Sequence, residues 1–226
     1  MREVPDYSLY IENYDQQNAG PSLSGRMMQW GHAALEGMLP VSYSAPRVLE
    51  VGAGSGHHYR YVTHRLESYV MTDASPRMLE HAASTYAAQA ASGRLHLQQQ
   101  DAKRLTFEDQ SFDRLIATHV LEHIPDPVVA LREWNRVVKP GGLISLILPC
   151  DPGVLWRLGR CFGPRRAALR VGLPYDYLMA AEHVNSIFNL RTFIRYHFEA
   201  VIESWYPFKV PLADVNLFYC CHITKP

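Results

Sequence analysis

A short apolar run that ends in Glu50-Val51-Gly52-Ala53-Gly54-Ser55-Gly56 offers backbone N–H groups to a ligand. Glycines let the chain turn sharply and let a ligand lie against the main chain. The spacing is G-x-G-x-G, and His57 stands where the dinucleotide pattern G-x-G-x-x-G wants its third glycine. That departure argues against NAD and FAD. An acidic Glu50 sits badly beside a pyrophosphate and well beside a cationic amine. Taken alone, the loop could also serve only helix–strand packing. Asp73 follows twenty-one residues after Gly52. A carboxylate there can accept both hydroxyls of a ribose, or it can support the helix that Ser75-Pro76 starts; together with the loop, the ribose reading is preferred. Asp101, in Gln100-Asp101-Ala102, could accept from the exocyclic amine of a base, or be a solvated loop carboxylate.

A second group of residues could move protons. His119-Val120-Leu121-Glu122-His123 matches H-x-x-E-H, a zinc pattern when both histidines share one face of a continuing helix. Here a strand precedes the run and Ile124-Pro125 cuts it, and a residue before proline is turned away from helix. The expectation is no metal, His119 at a strand end beside the ligand, and Glu122-His123 as a structural turn. His57 and His58 are expected as first-turn residues. His183, in Glu182-His183-Val184-Asn185, is a second candidate base, although Glu182 and His183 could equally cap or solvate a helix running to Phe188. Histidine suits a general base because its ordinary pKa lies near working pH. Arg157, Arg160, Arg165, Arg166 and Arg170 are interleaved with Leu155, Trp156, Leu158 and Phe162. Such a segment could bind an anionic acceptor, lie on a membrane surface, or form a solvated basic face.

The elements that must position these residues alternate. Strands are predicted at Arg47–Val51, Ser68–Thr72, Leu95–Gln99, Phe112–Thr118 and Leu143–Leu148. Helices are predicted at His57–Leu66, from Ser75-Pro76 to Ser92-Gly93, and from Asp126-Pro127 through Val138, closed by Lys139-Pro140-Gly141-Gly142. An earlier helix spans Arg26–Leu39, and two last strands lie near Ala200–Tyr206 and Leu217–Ile223. Short strands alternating with longer helices imply right-handed βαβ units, a mainly parallel sheet, and ligands at the carboxyl ends of its strands.

VLEVGAGSG, TDASPRML, QQDAKRLTFEDQSFDRLIATHVLEHIPDP and LREWNRVVKPGGLISLILP, taken in order, resemble the successive motifs of class I S-adenosylmethionine-dependent methyltransferases of the type-11 domain kind. The resemblance covers roughly Arg47 to Pro149. It implies an α/β fold, Rossmann-like and doubly wound, with a mainly parallel seven-stranded sheet and helices on both faces. It implies S-adenosyl-L-methionine as cofactor. Glu50, Gly52, Ala53, Gly54 and Gly56 would then hold the methionine part, and Asp73 the ribose. Ala74, Ser75 and Met78 would lie near the adenosine, Asp101 and Ala102 at the adenine, and Thr118 and His119 at the methionine and facing the acceptor. The expected organisation is an N-terminal helical lid segment over 1–44, the cofactor-binding core over 45–150, a substrate-side insertion over 151–199, and the last two strands over 200–226. Tyr10 and Tyr14 could contact the sulfonium through their rings if the N-terminal segment folds over the site, although ordinary packing is the preferred reading for each.

Composition narrows the function. The chain has 226 residues with 47% apolar and 19% charged, the profile of a soluble globular domain. Lys plus Arg and Asp plus Glu are both 22. That balance argues against nucleic acid held by bulk charge, as does the lack of an N-P-P-Y-type tetrad. Four cysteines without a C-x-x-C pair are expected as buried packing residues in a reducing, cytoplasmic setting. The expected function is transfer of a methyl group to a small-molecule acceptor, anionic if the arginines serve it, with His119 and His183 as candidate catalytic residues. The alternatives are a cofactor-binding module that regulates a partner without turnover, a protein methyltransferase, and an aminopropyl transferase; the last wants acids near the fourth strand that Thr118–Leu121 lacks. Peripheral membrane contact would run through residues 155–170.

Overall fold

The computed structural model describes residues 23–226. Seven strands form one sheet: β1 (Arg47–Val51), β2 (Ser68–Asp73), β3 (Leu95–Gln99), β4 (Phe112–Thr118), β5 (Val138–Pro149), β6 (Val201–Tyr206) and β7 (Phe218–Thr224). Their order is β3-β2-β1-β4-β5-β7-β6, parallel except for β7, which runs antiparallel to both neighbours. The helices are α1 (Leu23–Glu36), α2 (Pro76–Thr85), α3 (Ala87–Ala91), α4 (Pro127–Val137), α5 (Val154–Phe162), α6 (Pro164–Arg170), α7 (Tyr175–Glu182) and α8 (Ile187–His197). This is the Rossmann-like, doubly wound sheet that the motifs imply. Val48 to Val51 are all buried, as a central strand covered on both faces requires. One face packs Phe112, Leu131 and Trp134 in a core shared with α4 and α8. The other packs Leu35, Tyr69, Met71 and Phe218 beneath α1 and α2. The strand order turns at β1 and β4, so the crevice at their carboxyl ends is the place for a ligand.

Several local expectations are corrected. His57–Leu66 is not a helix; only Tyr59–Tyr61 makes a 3-10 turn. Tyr59, Tyr61, Val62 and Thr63 are weak helix formers, and His58 is drawn inside by Glu36, 2.9 Å away. The helix after Pro76 breaks at Tyr86, whose hydroxyl donates to the Gly56 carbonyl at 2.9 Å. Ser75 caps it as expected, its side chain accepting from Met78 N. Lys139–Gly142 belongs to β5: Val138 pairs with Phe112, and a register shift before the Arg114–Leu143 pair accommodates the glycines. Cys150, Cys220 and Cys221 are buried, but Cys161 is exposed. Tyr10 and Tyr14 lie outside the described residues.

A buried polar network fixes α1 to the sheet. Arg114 of β4 is fully buried and donates to both Glu36 oxygens, at 2.9 and 2.6 Å. Its Nε donates to Ser145 Oγ at 2.9 Å. His222 Nε2 donates to the Leu35 carbonyl at 3.1 Å, so its Nδ1 accepts from Ser145 Oγ at 3.0 Å. His58 Nε2 donates to Glu36, which leaves its Nδ1 to accept from His32 Nδ1 at 3.0 Å. Burial holds His32, His58 and His222 below the usual histidine range, His222 at about 4. Burial also pushes Glu36 up, but the hydrogen bonds from His58 and Arg114 outweigh it and hold the carboxyl at about 2.

Candidate active site

The glycine loop leaves β1 in the left-handed region. Gly52 has φ +66°, and a Cβ there would lie 2.5 Å from Val120 Cγ2, so only glycine lets the 119–123 turn pack on the loop. Gly54 has φ +54°, and a Cβ there would point into open space. Gly54 N donates to Asp73 Oδ2 and Ser75 N to Asp73 Oδ1, each at 2.8 Å. The half-buried Asp73 carboxylate is thereby fixed across the tips of β1 and β2, with lone pairs left for ligand hydroxyls. Ala53 is buried, Gly56 is tight against Tyr86, Met78 is half-buried and Ala74 exposed. Asp101 is exposed and accepts from Lys103 N at 2.9 Å. The Ala102 carbonyl accepts from Trp134 Nε1 at 2.9 Å. An open face at Gly54 with a fixed carboxylate beside it fits S-adenosylmethionine, the cofactor that the sequence resemblance implies.

Glu50 sits beneath the loop, almost fully buried, and Tyr69 Oη donates to its Oε2 at 2.7 Å. Burial pushes its carboxyl up to about 8. A cationic ammonium arriving above it would favour the ionised form. In the ligand-free protein the folded pKa lies above the unfolded one. Stability is therefore complete below about pH 4.5 and falls as pH rises toward 8. Glu50→Gln removes that loss. The Tm advantage of the ligand-free variant should grow from near zero at acid pH to several degrees at pH 8, while its cofactor affinity falls. A pH-independent difference in thermal scans would count against a strained Glu50.

Beyond the loop lies a largely apolar cavity. Met27 and Met28 of α1, Trp156 of α5, Met179 of α7 and Phe218 of β7 line it, together with His119, Glu122, His123, Arg160 and His183. Thr118 ends β4 and is half-buried. His119 follows with φ +59°, a conformation that costs a non-glycine residue about 1 kcal/mol or more and needs surrounding structure to hold it. Its N–H donates to the Ile147 carbonyl at 2.9 Å. Its Nδ1 stands 3.5 Å from Glu122 Oε1, and its buried Nε2 has no hydrogen-bond partner among the described residues.

Glu122 is more than a turn residue. Leu121–His123 is a 3-10 turn, but the Glu122 carboxyl is buried behind His119. Burial pushes it up, yet the hydrogen bond of His119 and the nearby His123 and His183 outweigh this and hold it below the usual carboxylate range. The polar cluster 182–185 docks on this turn. Val184 N and Asn185 N donate to the Glu122 carbonyl, and Asn185 Nδ2 donates to the Leu121 and Ile124 carbonyls. His183 therefore lies on the same cavity as His119, its Nδ1 3.0 Å from Asp151 Oδ2. Its expected helix ends at Glu182 instead of running to Phe188. Sequence reasoning passed over Glu122 and Asp151 as partners; the i, i+3 spacing from His119 was the signal for the first.

The arginine segment does not converge on the cavity. Arg160 lines it but is paired with Asp151 at 2.8 Å. Arg165 pairs with Asp176 at 2.7 Å, and Arg166 lies over the Phe162 ring at 5.1 Å. Among the described residues no group of three or more His, Cys, Asp or Glu side chains is arranged to hold a metal ion. No described helix is long and apolar enough to cross a membrane.

Residues 49–146 match the methyltransferase domain family. An uncharacterized protein of Mycobacterium bovis is 31% identical over 136 residues, 60% of this chain and 49% of its own length. The demethylmenaquinone methyltransferase of Staphylococcus haemolyticus is 47% identical over 58 residues, 26% of this chain and 24% of its own. The chain thus spans about half or less of the length of these curated relatives. Among solved structures, the [4+2]-cyclase SpnF superposes with a TM-score of 0.67 at 16% identity, covering 97% of this chain and 94% of that one. At that identity the likeness speaks for the fold alone.

Proposed function

We propose, from the premise that residues 49–146 of this chain are a class I S-adenosylmethionine-dependent methyltransferase domain, that the protein methylates a small, largely apolar acceptor carrying an acidic hydroxyl. The observation that carries this reading is that His119 lines the cavity, with a buried Nε2 that has no hydrogen-bond partner among the described residues and a carboxylate behind its Nδ1. When bound, S-adenosylmethionine supplies a methyl group activated by its sulfonium. Glu50, Gly52, Ala53, Gly54 and Gly56 hold its methionine part, and Asp73 holds the ribose, with Ala74, Ser75, Met78, Asp101 and Ala102 around the adenosine. Thr118 and His119 stand between this cleft and the cavity.

Glu122 accepts from Nδ1–H, which leaves the lone pair of Nε2 toward the acceptor. His119 then takes the hydroxyl proton and makes the oxygen, or a ring carbon conjugated to it, nucleophilic. Asp151 holds His183 on the same cavity, where it orients the acceptor. The methionine, tryptophan and phenylalanine walls exclude water and align the partners. With Arg160 neutralised by Asp151, these walls support an apolar acceptor over an anionic one. The relative named demethylmenaquinone methyltransferase supports a small-molecule acceptor.

The test pairs titration calorimetry with an acceptor panel read out by S-adenosylhomocysteine release. Wild type should bind the cofactor, and Asp73→Ala should weaken binding about 10–100-fold through lost charge-assisted hydrogen bonds. Phenols and hydroquinones should give turnover. Turnover confined to phosphorylated acceptors would overturn the acceptor class, and binding without turnover on any acceptor would favour a regulatory module.

A further inference from the structure

Independently of the reaction, we propose that the outer face of α5 and α6, with the neighbouring loop 207–215, is a docking surface for an anionic phospholipid bilayer. On α5, Val154, Leu158 and Phe162 follow one another at four-residue spacing, so they share a face; they are 54%, 47% and 62% exposed. The inner face is different: Trp156, Gly159 and Arg160 line the cavity. The outer stripe is therefore not a core face that happens to show.

The patch extends on both sides. Arg166 of α6 lies over the Phe162 ring, and Leu169, one turn on from Arg166, is exposed. At the start of α5, Val154 N donates to Asp214 Oδ1 at 3.2 Å, which places the loop holding Phe208, Val210 and Leu212 beside Val154; all three are exposed. A monomer in water seldom leaves so many large apolar side chains exposed on neighbouring elements.

The charges around the patch select the occupant. Arg160 and Arg165 are each paired with a carboxylate. Arg157, Arg166 and Arg170 are exposed and have no carboxylate partner among the described residues, and Lys209 stands in the apolar loop. Exposed cations bordering a shallow apolar stripe match the negative surface and acyl boundary of an anionic bilayer. The whole chain carries no net charge, so this basic border is a local feature.

Co-sedimentation of the full chain with vesicles tests the assignment. Wild type should sediment with phosphatidylcholine vesicles containing phosphatidylglycerol, more weakly with phosphatidylcholine alone, and less as salt is raised. Changing Arg157, Arg166 and Arg170 to Gln should weaken binding to the anionic vesicles about fivefold per residue. Leu158→Ser with Phe162→Ser should weaken it at least about tenfold. Both variants should keep wild-type affinity for S-adenosylmethionine, which reports that the core is folded. No wild-type binding to anionic vesicles, or binding that survives both sets of changes, would overturn the proposal. So would a dimer in sedimentation velocity that Leu158→Ser with Phe162→Ser dissolves, since a second copy would then be the occupant.

Discussion

His119→Ala is expected to lower kcat about 10²–10⁴-fold, with a much smaller change in S-adenosylmethionine affinity. The expectation follows from what each atom of the ring does. Nδ1 is directed toward Glu122 and the backbone N–H is bonded to Ile147, so Nε2, which has no partner among the described residues, is the one ring nitrogen left to take a proton. Deleting the ring removes that acceptor and leaves the glycine loop and Asp73 in place. It also puts alanine at φ +59°, a strain that could lower activity through the backbone. Two further variants separate these effects. His119→Asn keeps a residue that tolerates this conformation, yet should lose the same activity, because an amide is no base. Added imidazole should restore part of the activity to His119→Ala by occupying the vacated space. Glu122→Gln, which leaves the imidazole present but poorly oriented, should lose a smaller factor and gain nothing from imidazole. Full activity in His119→Asn would remove His119 from the proton-transfer role.

The features readable from sequence are those encoded within a few residues. Val48–Val51 and Ile144–Leu148 are buried and mainly apolar, and a short run of that kind beside a glycine turn reads as a central strand. The glycine loop and Asp73 each occupy a strand end, so placing the strands places them. His119 followed for the same reason. What stayed hidden depends on pairings between distant segments. The cluster 182–185 looks like a solvated helix cap by itself; it becomes part of the cavity because Asn185 and Val184 bond the 121–124 turn some sixty residues earlier. His57–Leu66 lacks a strong local preference, and its path is decided by Glu36, which pulls His58 under α1. The arginine segment misled in another way: Asp176 lies just past its end and takes up Arg165, while Asp151 takes up Arg160.

Arg114→Met should destabilise the protein by about 3–5 kcal/mol, the usual cost of leaving one member of a buried ion pair alone. For a chain of this size that is roughly 6–20 °C in Tm. Arg114 carries three hydrogen bonds in the network, two to Glu36 and one to Ser145 Oγ. Without it Glu36 keeps only His58, whose ring burial holds it toward the neutral form. Pairing Arg114→Met with Glu36→Leu should recover most of the loss, because apolar side chains of similar volume can replace a buried ion pair at little cost. The pH dependence gives a separate check. Glu36 titrates at about 2 in the folded protein against 4.5 as its ordinary value. The stability it contributes is complete above about pH 4.5 and is lost as pH falls toward 2. Protonation relieves the stranded carboxylate in the variant, so the gap between wild type and Arg114→Met should be widest above pH 5 and narrow below it. The functional effect should fall on one side of the site. Glu36 ends the helix that brings Met27 and Met28 to the cavity, whereas the glycine loop and Asp73 belong to β1 and β2. At temperatures where Arg114→Met remains folded, KM for the acceptor should rise while affinity for S-adenosylmethionine stays near wild type. An equal loss in both would mean that α1 supports the cofactor cleft as much as the acceptor cavity.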